Sequence, residues 1–274
     1  MDPLVSTAWL AERLEAPLIR VVDATYFLPG VPRDAHAEFL AGHIPGAQRF
    51  DIDKISDRSN PLPHMLPSPE DFARKVGELG IGNDGLVVVY GGNSAARVWW
   101  MFRAMGHDNV FVLDGGLAKW KAENRAIETG PPPPRAPAKF RTNFRPELVA
   151  NYEQVLAALG KTPVLDARPA ARFHGEAPEP REGLKSGHMP GATSVPSSEI
   201  VDTEGAFAKR SDTVAAFKAH GADPKTAAFT TCGSGVTACN LALAMAREGN
   251  WKTAVYDGSW SEWGALPDSP VARS

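Results

Sequence analysis

The chain has 274 residues, 43% of them hydrophobic and 22% charged, with a formal net charge of −3. That length is long for one core and comfortable for two domains of ordinary size. The charge balance describes a globular chain and gives no reason to expect nucleic acid or an acidic membrane as partner.

In chain order, residues 1–20 carry acids and no long apolar run, so neither a signal peptide nor a membrane span is expected. A β-branched run at Ile19–Asp23 reads as a strand and ends in Asp23-Ala24. Gly42-His43-Ile44-Pro45-Gly46-Ala47 follows, then Phe50-Asp51-Ile52-Asp53 and, eleven residues on, His64-Met65-Leu66-Pro67. Helical spacing covers Glu70–Leu79 and Arg97–Met105, with strands at Val87–Tyr90 and Val110–Leu113. Gly130-Pro131-Pro132-Pro133-Pro134-Arg135-Ala136-Pro137 favours an extended polyproline segment and excludes a helix. Such a segment either holds two modules at a restricted separation or is a solvated spacer.

Beyond it the pattern repeats. Asp166-Ala167 ends a strand at Val164–Ala167, 143 positions after Asp23. Gly187-His188-Met189-Pro190-Gly191-Ala192 repeats the hexapeptide at Gly42, and Asp257-Gly258-Ser259 with Trp263 repeats Asp114-Gly115-Gly116 with Trp120. The histidine of each hexapeptide reads as a turn-fixing hydrogen-bond donor. Further strands fall at Ala228–Thr231 and Ala254–Tyr256, and helices at Glu153–Leu159, Thr213–His220 and Asn240–Glu248. Apolar strands separated by helices predict an α/β fold: two tandem domains, each a mainly parallel sheet with helices on both faces. The expected division is 1–130, a Pro-rich linker at 131–150, and 151–274.

The strand at Ala228–Thr231 runs into Cys232-Gly233-Ser234-Gly235-Val236-Thr237 and then a helix. In such sheets, active groups sit at the strand carboxyl ends. A strand, a glycine loop and a helix start bring backbone N–H groups together around an anion, here the thiolate of Cys232. Positive φ is expected at Gly233 and Gly235. The alternative is a buried core cysteine, which is also the simplest reading of Cys239. Two cysteines seven positions apart suit neither a disulfide framework, nor a zinc knuckle, nor a CxxC redox pair. They fit a reducing compartment, and the protein reads as cytoplasmic. The matching place in the first half, Gly91-Gly92-Asn93-Ser94-Ala95-Ala96, has no cysteine and is two residues shorter.

Cys-Gly-Ser-Gly-Val-Thr is similar to the active-site loop of the 3-mercaptopyruvate sulfurtransferases, a branch of the rhodanese superfamily, and the Gly-His-x-Pro-Gly-Ala hexapeptide is itself rhodanese-like. The resemblance implies an inactive first domain that lends cleft residues to a catalytic second domain. It implies Cys232 as nucleophile, and Asp53, His64 and Ser234 as a serine-protease-like triad managing a proton. Asp51, on the other side of an extended stretch, is the weaker acid candidate. It implies Arg172 and Arg181 as the clamp on the substrate carboxylate and keto oxygen, a task suited to planar, bidentate guanidinium groups. Arg168 would instead pair with a carboxylate and hold the loop. Gly233, Gly235, Val236 and Thr237 complete the binding loop. Animal members carry a longer loop at the place of Gly91 to Ala96.

Thiosulfate-specific rhodaneses carry cationic residues just after the cysteine, whereas residues 233–237 here are uncharged. That favours a mercapto-keto-acid whose charge lies away from the transferred sulfur. A Cys-x5-Arg phosphatase loop is ruled out because Ala238 stands where the arginine would be. The expected reaction moves sulfur from 3-mercaptopyruvate through a Cys232 persulfide to a thiol acceptor, such as thioredoxin or another dithiol, or to cyanide. The alternatives are a thiosulfate sulfurtransferase and a non-enzymatic persulfide carrier. No metal or organic cofactor is implied.

Overall fold

The computed structural model describes residues 2–28 and 30–274. The first half contains β1 (Leu4–Val5), β2 (Ile19–Asp23), β3 (Gln48–Arg49), β4 (Leu86–Tyr90) and β5 (Val110–Leu113). Its helices are α1 (Thr7–Ala11), α2 (Ala35–Ala41), α3 (Pro69–Glu78), α4 (Ala95–Ala104) and α5 (Gly116–Ala122). The second half repeats the set: β6 (Val149–Ala150), β7 (Val164–Asp166), β8 (Thr193–Ser194), β9 (Phe229–Thr231) and β10 (Ala254–Tyr256). With them come α6 (Tyr152–Ala158), α7 (Ala170–His174), α8 (Arg210–Ala219), α9 (Ala238–Arg247) and α10 (Ser259–Trp263).

The two sheets share one topology, β1-β5-β4-β2-β3 and β6-β10-β9-β7-β8, and every pairing is parallel. All six expected strands are present. The two-residue strands β1, β3, β6 and β8 are additions, too short to leave a periodic signal. All five expected helices form within three residues of their expected ends, and local caps explain two boundaries. Ser68 accepts the Asp71 N–H ahead of Pro69, and Asn151 with Gln154 closes a reciprocal capping box.

Each central strand is apolar on both faces because both are covered. In β4, Val87 and Val89 pack beneath α3 and α4, while Val88 and Tyr90 face the side of α1, α2 and α5. The α3–α4 side of the first half and the α8–α9 side of the second merge into one continuous core, with α4 lying against α9. Residue after residue of α4 is buried, which a helix covering only its own sheet does not require.

The Pro-rich segment contains no helix and runs along the first half. Gln48 Nε2 donates to the Pro133 carbonyl at 3.3 Å, Arg135 Nη2 to that of Gly46 at 3.0 Å, and the Ala138 N–H to that of Gly77 at 2.9 Å. Among the described residues no helix is long and apolar enough to cross a membrane.

Candidate active site

Cys232 directly follows β9, and six residues separate that strand from α9. The thiol therefore lies one loop before the helix start rather than on its first turn. The loop is shaped from outside. The Trp260 N–H donates to the Cys232 carbonyl at 3.0 Å, and the N–H and hydroxyl of Ser261 donate to the Gly233 carbonyl at 2.8 and 2.7 Å. The Cys232 N–H is taken by Ser259 Oγ at 3.1 Å. Among the described residues no acceptor is bonded to the N–H groups of Gly233 through Thr237. A curl of such donors is an anion cradle.

Gly235 has φ +73°, as expected, but Gly233 does not lie in the left-handed region. Gly233 has a different constraint: a Cβ there would stand 3.0 Å from Arg172 Nη2, so a larger residue would shift that guanidinium. Cys232 and Ser234 are buried at 2% and 5% exposure, Val236 is buried, and Thr237 precedes α9 without a side-chain cap. Cys239 faces the core, its Sγ–H donating to the Gly235 carbonyl at 3.2 Å, and burial pushes its thiol far up.

The first half presents Asp53 and His64 together, His64 Nδ1 standing 2.9 Å from Asp53 Oδ1. The imidazole is buried whereas Asp53 is 60% exposed. The contact is close but off-line, and among the described residues neither ring nitrogen completes an aligned hydrogen bond. His64 adopts φ +61°, and the Tyr26 ring meets it edge-on at 4.8 Å. Contact with His64 is the main influence holding the Asp53 carboxyl below its usual range; partial burial opposes it, and the charges of His64, Arg181 and Arg49 add to it. Asp51 Oδ1 caps the turn, accepting from the N–H groups of Asp53 at 3.0 Å and Lys54 at 3.3 Å.

The three arginines sort by environment. Arg172, on α7, lies against Gly233 and bonds the Glu179 carboxylate, and its Nε has no partner among the described residues. Arg181 faces the first half: burial and Asp53 raise the Tyr26 phenol, and Arg181 opposes them. Arg168 is buried between Asp166 Oδ2 and Glu179 Oε1, both at 2.7 Å, and lies over the Trp260 ring. It braces the loop. Glu179, which holds both Arg168 and Arg172, carried no sequence signal beyond its place between two prolines. His43 and His188 stack on Phe39 and Phe173 and bond the carbonyls of those residues at 2.8 and 2.9 Å, a structural use.

The model of the Rhodanese-like domain matches twice, at residues 6–123 and 151–266. The chain belongs to the rhodanese family. It is 42% identical over 271 residues to a human protein named 3-mercaptopyruvate sulfurtransferase, covering 95% of this chain and 91% of that one. It is also 42% identical over 272 residues to a bovine thiosulfate sulfurtransferase, with the same coverage. The crystal structure of SseA from Escherichia coli, described as a 3-mercaptopyruvate sulfotransferase with the rhodanese fold, superposes with a TM-score of 0.86 at 40% identity. That match covers 95% of this chain and 99% of the other. These relatives support a sulfurtransferase activity.

The two rhodanese domains are not equivalent. In the first, four residues join β4 to α4, and Ser94 Oγ turns inward to the carbonyls of Ala24 and Gly91, both at 2.7 Å. Each domain covers the other's loop with the segment after its third strand. Asp257 Oδ2 accepts the Leu66 N–H at 2.7 Å, and Asp114 Oδ1 accepts the Phe207 N–H at 2.9 Å. The Thr203 carbonyl packs so closely on Gly92 that a Cβ there would stand 2.6 Å from its oxygen. Arg97 joins the rhodanese domains at the cysteine loop, and no motif marks it in the sequence. Its one signal is a charge inside the otherwise apolar stretch Ala95-Ala96-Arg97-Val98-Trp99-Trp100.

Proposed function

We propose that this protein is a 3-mercaptopyruvate sulfurtransferase working through a persulfide on Cys232. The observation that carries the reading is that Arg97 bonds both the backbone of His64, which lies against Asp53, and the uncharged Cys232 loop at Gly235, with Arg172 lying against that loop. The Cys232 thiolate attacks the substrate sulfur, the carbon–sulfur bond breaks, and its electron pair leaves on the enolate of pyruvate. Arg172 and Arg181 stabilise that enolate, and a proton delivered through Ser234 from His64, held by Asp53, converts it to pyruvate. The N–H groups of residues 233–237 hold the persulfide. An acceptor thiolate then takes the outer sulfur and returns Cys232 as thiolate. A dithiol such as thioredoxin, or cyanide in the test tube, serves as acceptor.

In this reading, residues 1–130 form a domain that lends cleft residues, 131–150 a linker, and 151–274 the catalytic domain. Two free cysteines fit work in a reducing compartment, the cytoplasm.

The equal identity to the bovine thiosulfate sulfurtransferase makes thiosulfate the second reading. The absence of charge at residues 233–237 argues against it. The two are separated by kcat/KM for 3-mercaptopyruvate and thiosulfate on one preparation, with and without His64→Ala. The expected preference for 3-mercaptopyruvate is roughly tenfold or more, the worth of one charge-assisted contact. His64→Ala should damage that reaction more than the thiosulfate reaction, which expels sulfite and protonates no enolate. A preference for thiosulfate, unchanged by His64→Ala, would overturn the proposal. A non-enzymatic carrier would show no multiple turnover with either donor.

A further inference from the structure

Arg97 is fully buried on α4 of the first domain, yet its partners are not on its own sheet. Nη1 donates to Asp257 Oδ1 at 2.6 Å and to the Gly235 carbonyl at 3.2 Å, and Nη2 donates to the His64 carbonyl. The guanidinium also lies over the Trp100 ring, its carbon 4.5 Å from the centroid. One planar group thus grips the backbone of the histidine, the backbone one residue beyond Ser234, and the carboxylate that accepts the Leu66 N–H.

We propose that Arg97 is a positioning residue of the sulfur-transfer site, setting the His64 backbone and the cysteine loop at a fixed separation. The inference rests on the reading of His64 and Cys232 given above. Two observations distinguish it from domain glue. First, burying a charge is expensive, and an apolar side chain in the α4–α9 contact would hold two domains as well or better. A guanidinium is warranted where several oxygens must be held at set angles, which its rigid fork of donors does. Second, both gripped carbonyls belong to residues in the left-handed region, His64 at φ +61° and Gly235 at φ +73°. Such conformations persist only where surrounding contacts impose them. Burial alone would lower the Arg97 pKa; the Asp257 carboxylate reverses that, so the group stays charged beneath the loop.

The test is full-length Arg97→Lys, which keeps the charge but cannot span three oxygens. The expected result is a kcat for 3-mercaptopyruvate lowered about tenfold or more with KM within about twofold, because the arginines that bind substrate are untouched. The His64 ring resonance should move in the NMR spectrum while that of His188, held by Phe173, stays in place. An unchanged kcat, a loss expressed in KM alone, or an unmoved His64 resonance in the folded variant overturns the assignment. Should Arg97→Lys not fold, Asp257→Asn removes the charge that orients Arg97 while keeping an acceptor for Leu66, and the same outcomes apply to it. If the unaltered protein fails to turn over 3-mercaptopyruvate, the functional reading falls, and the His64 resonance still decides the role of Arg97.

Discussion

Ser259 holds the backbone of Cys232 from a conformation that its counterpart gives to glycine. Its Oγ accepts the Cys232 N–H at 3.1 Å and donates to the Tyr256 carbonyl at 2.8 Å, with φ at +49°. The matching residue of the first domain, 143 positions earlier, is Gly116 at φ +53°. A side chain in the left-handed region costs on the order of 1 kcal/mol, which the hydroxyl offsets by satisfying a buried donor.

Ser259 therefore separates strain from hydrogen bonding. Ser259→Ala keeps the strain and strands the Cys232 N–H, an expected loss of about 1–3 kcal/mol. Ser259→Gly strands the same donor but relieves the backbone, so it should be more stable than the alanine variant by about 1 kcal/mol. Denaturant unfolding of both variants checks the order. An alanine variant as stable as the glycine one would remove the strain from the account.

Cys232→Ser should abolish transfer with the fold intact, and Cys239→Ser should keep most of it, since Cys239 is buried and bonded to the Gly235 carbonyl. Intact-protein mass spectrometry after donor treatment should show one added sulfur, mapped to Cys232. Sulfur on Cys239, or turnover without Cys232, would contradict the mechanism.

The arginines should divide by what they touch. Arg172→Lys and Arg181→Lys lose the bidentate fork and should lower kcat/KM for 3-mercaptopyruvate by roughly 1–3 kcal/mol each. Arg168→Met leaves Asp166 buried without its cation and Glu179 with Arg172 alone, so its effect should fall on folding, at about 3–5 kcal/mol. Steady-state kinetics and thermal unfolding on all three variants test the split. Three variants that behave alike would refute it.

Asp53 gives a pH signature. Its folded pKa is lowered, chiefly by His64, so the contact stabilises fully above the unfolded carboxyl value and is lost as pH falls through the folded one. With 60% of its side chain exposed, solvent screening keeps the effect below about 1 kcal/mol. The stability gap between the unaltered protein and Asp53→Asn should be present at about pH 7 and narrow from about pH 4 downward. A gap that does not change over that range would mean that the contact contributes nothing to stability.

Much of this was legible because it is local. Runs such as Leu86–Tyr90 and the helix Pro69–Glu78 carry their own periodicity, and the loop at Cys232 carries its own glycines. What escaped depends on residues distant in sequence. Arg97 meets Gly235 across 138 positions and Leu66 meets Asp257 across 191, and no spacing rule encodes such pairs. Ser259 was within reach, since aligning the repeats sets a serine opposite Gly116. Gly233 suggests positive φ in the sequence, whereas the structure gives it close approach to Arg172, because the two demands look alike in a sequence.

The reciprocal covering of loops has a consequence for synthesis. A ribosome completes the first domain's sheet at Leu113, yet the turn at Thr203 and Glu204 that seats on Gly92 and Gly116 emerges about ninety residues later. The α9 helix that covers α4 comes later still. For that interval the nascent chain shows α4 with Trp99 lacking Trp251, Trp100 lacking the Leu148 carbonyl, and Arg97 without Asp257 or Gly235. Such a surface is a target for chaperones and for aggregation. Truncations that end between Leu113 and Arg247 should therefore be the least soluble forms of this chain, and duplication has bound the first domain's survival in translation to the arrival of the second.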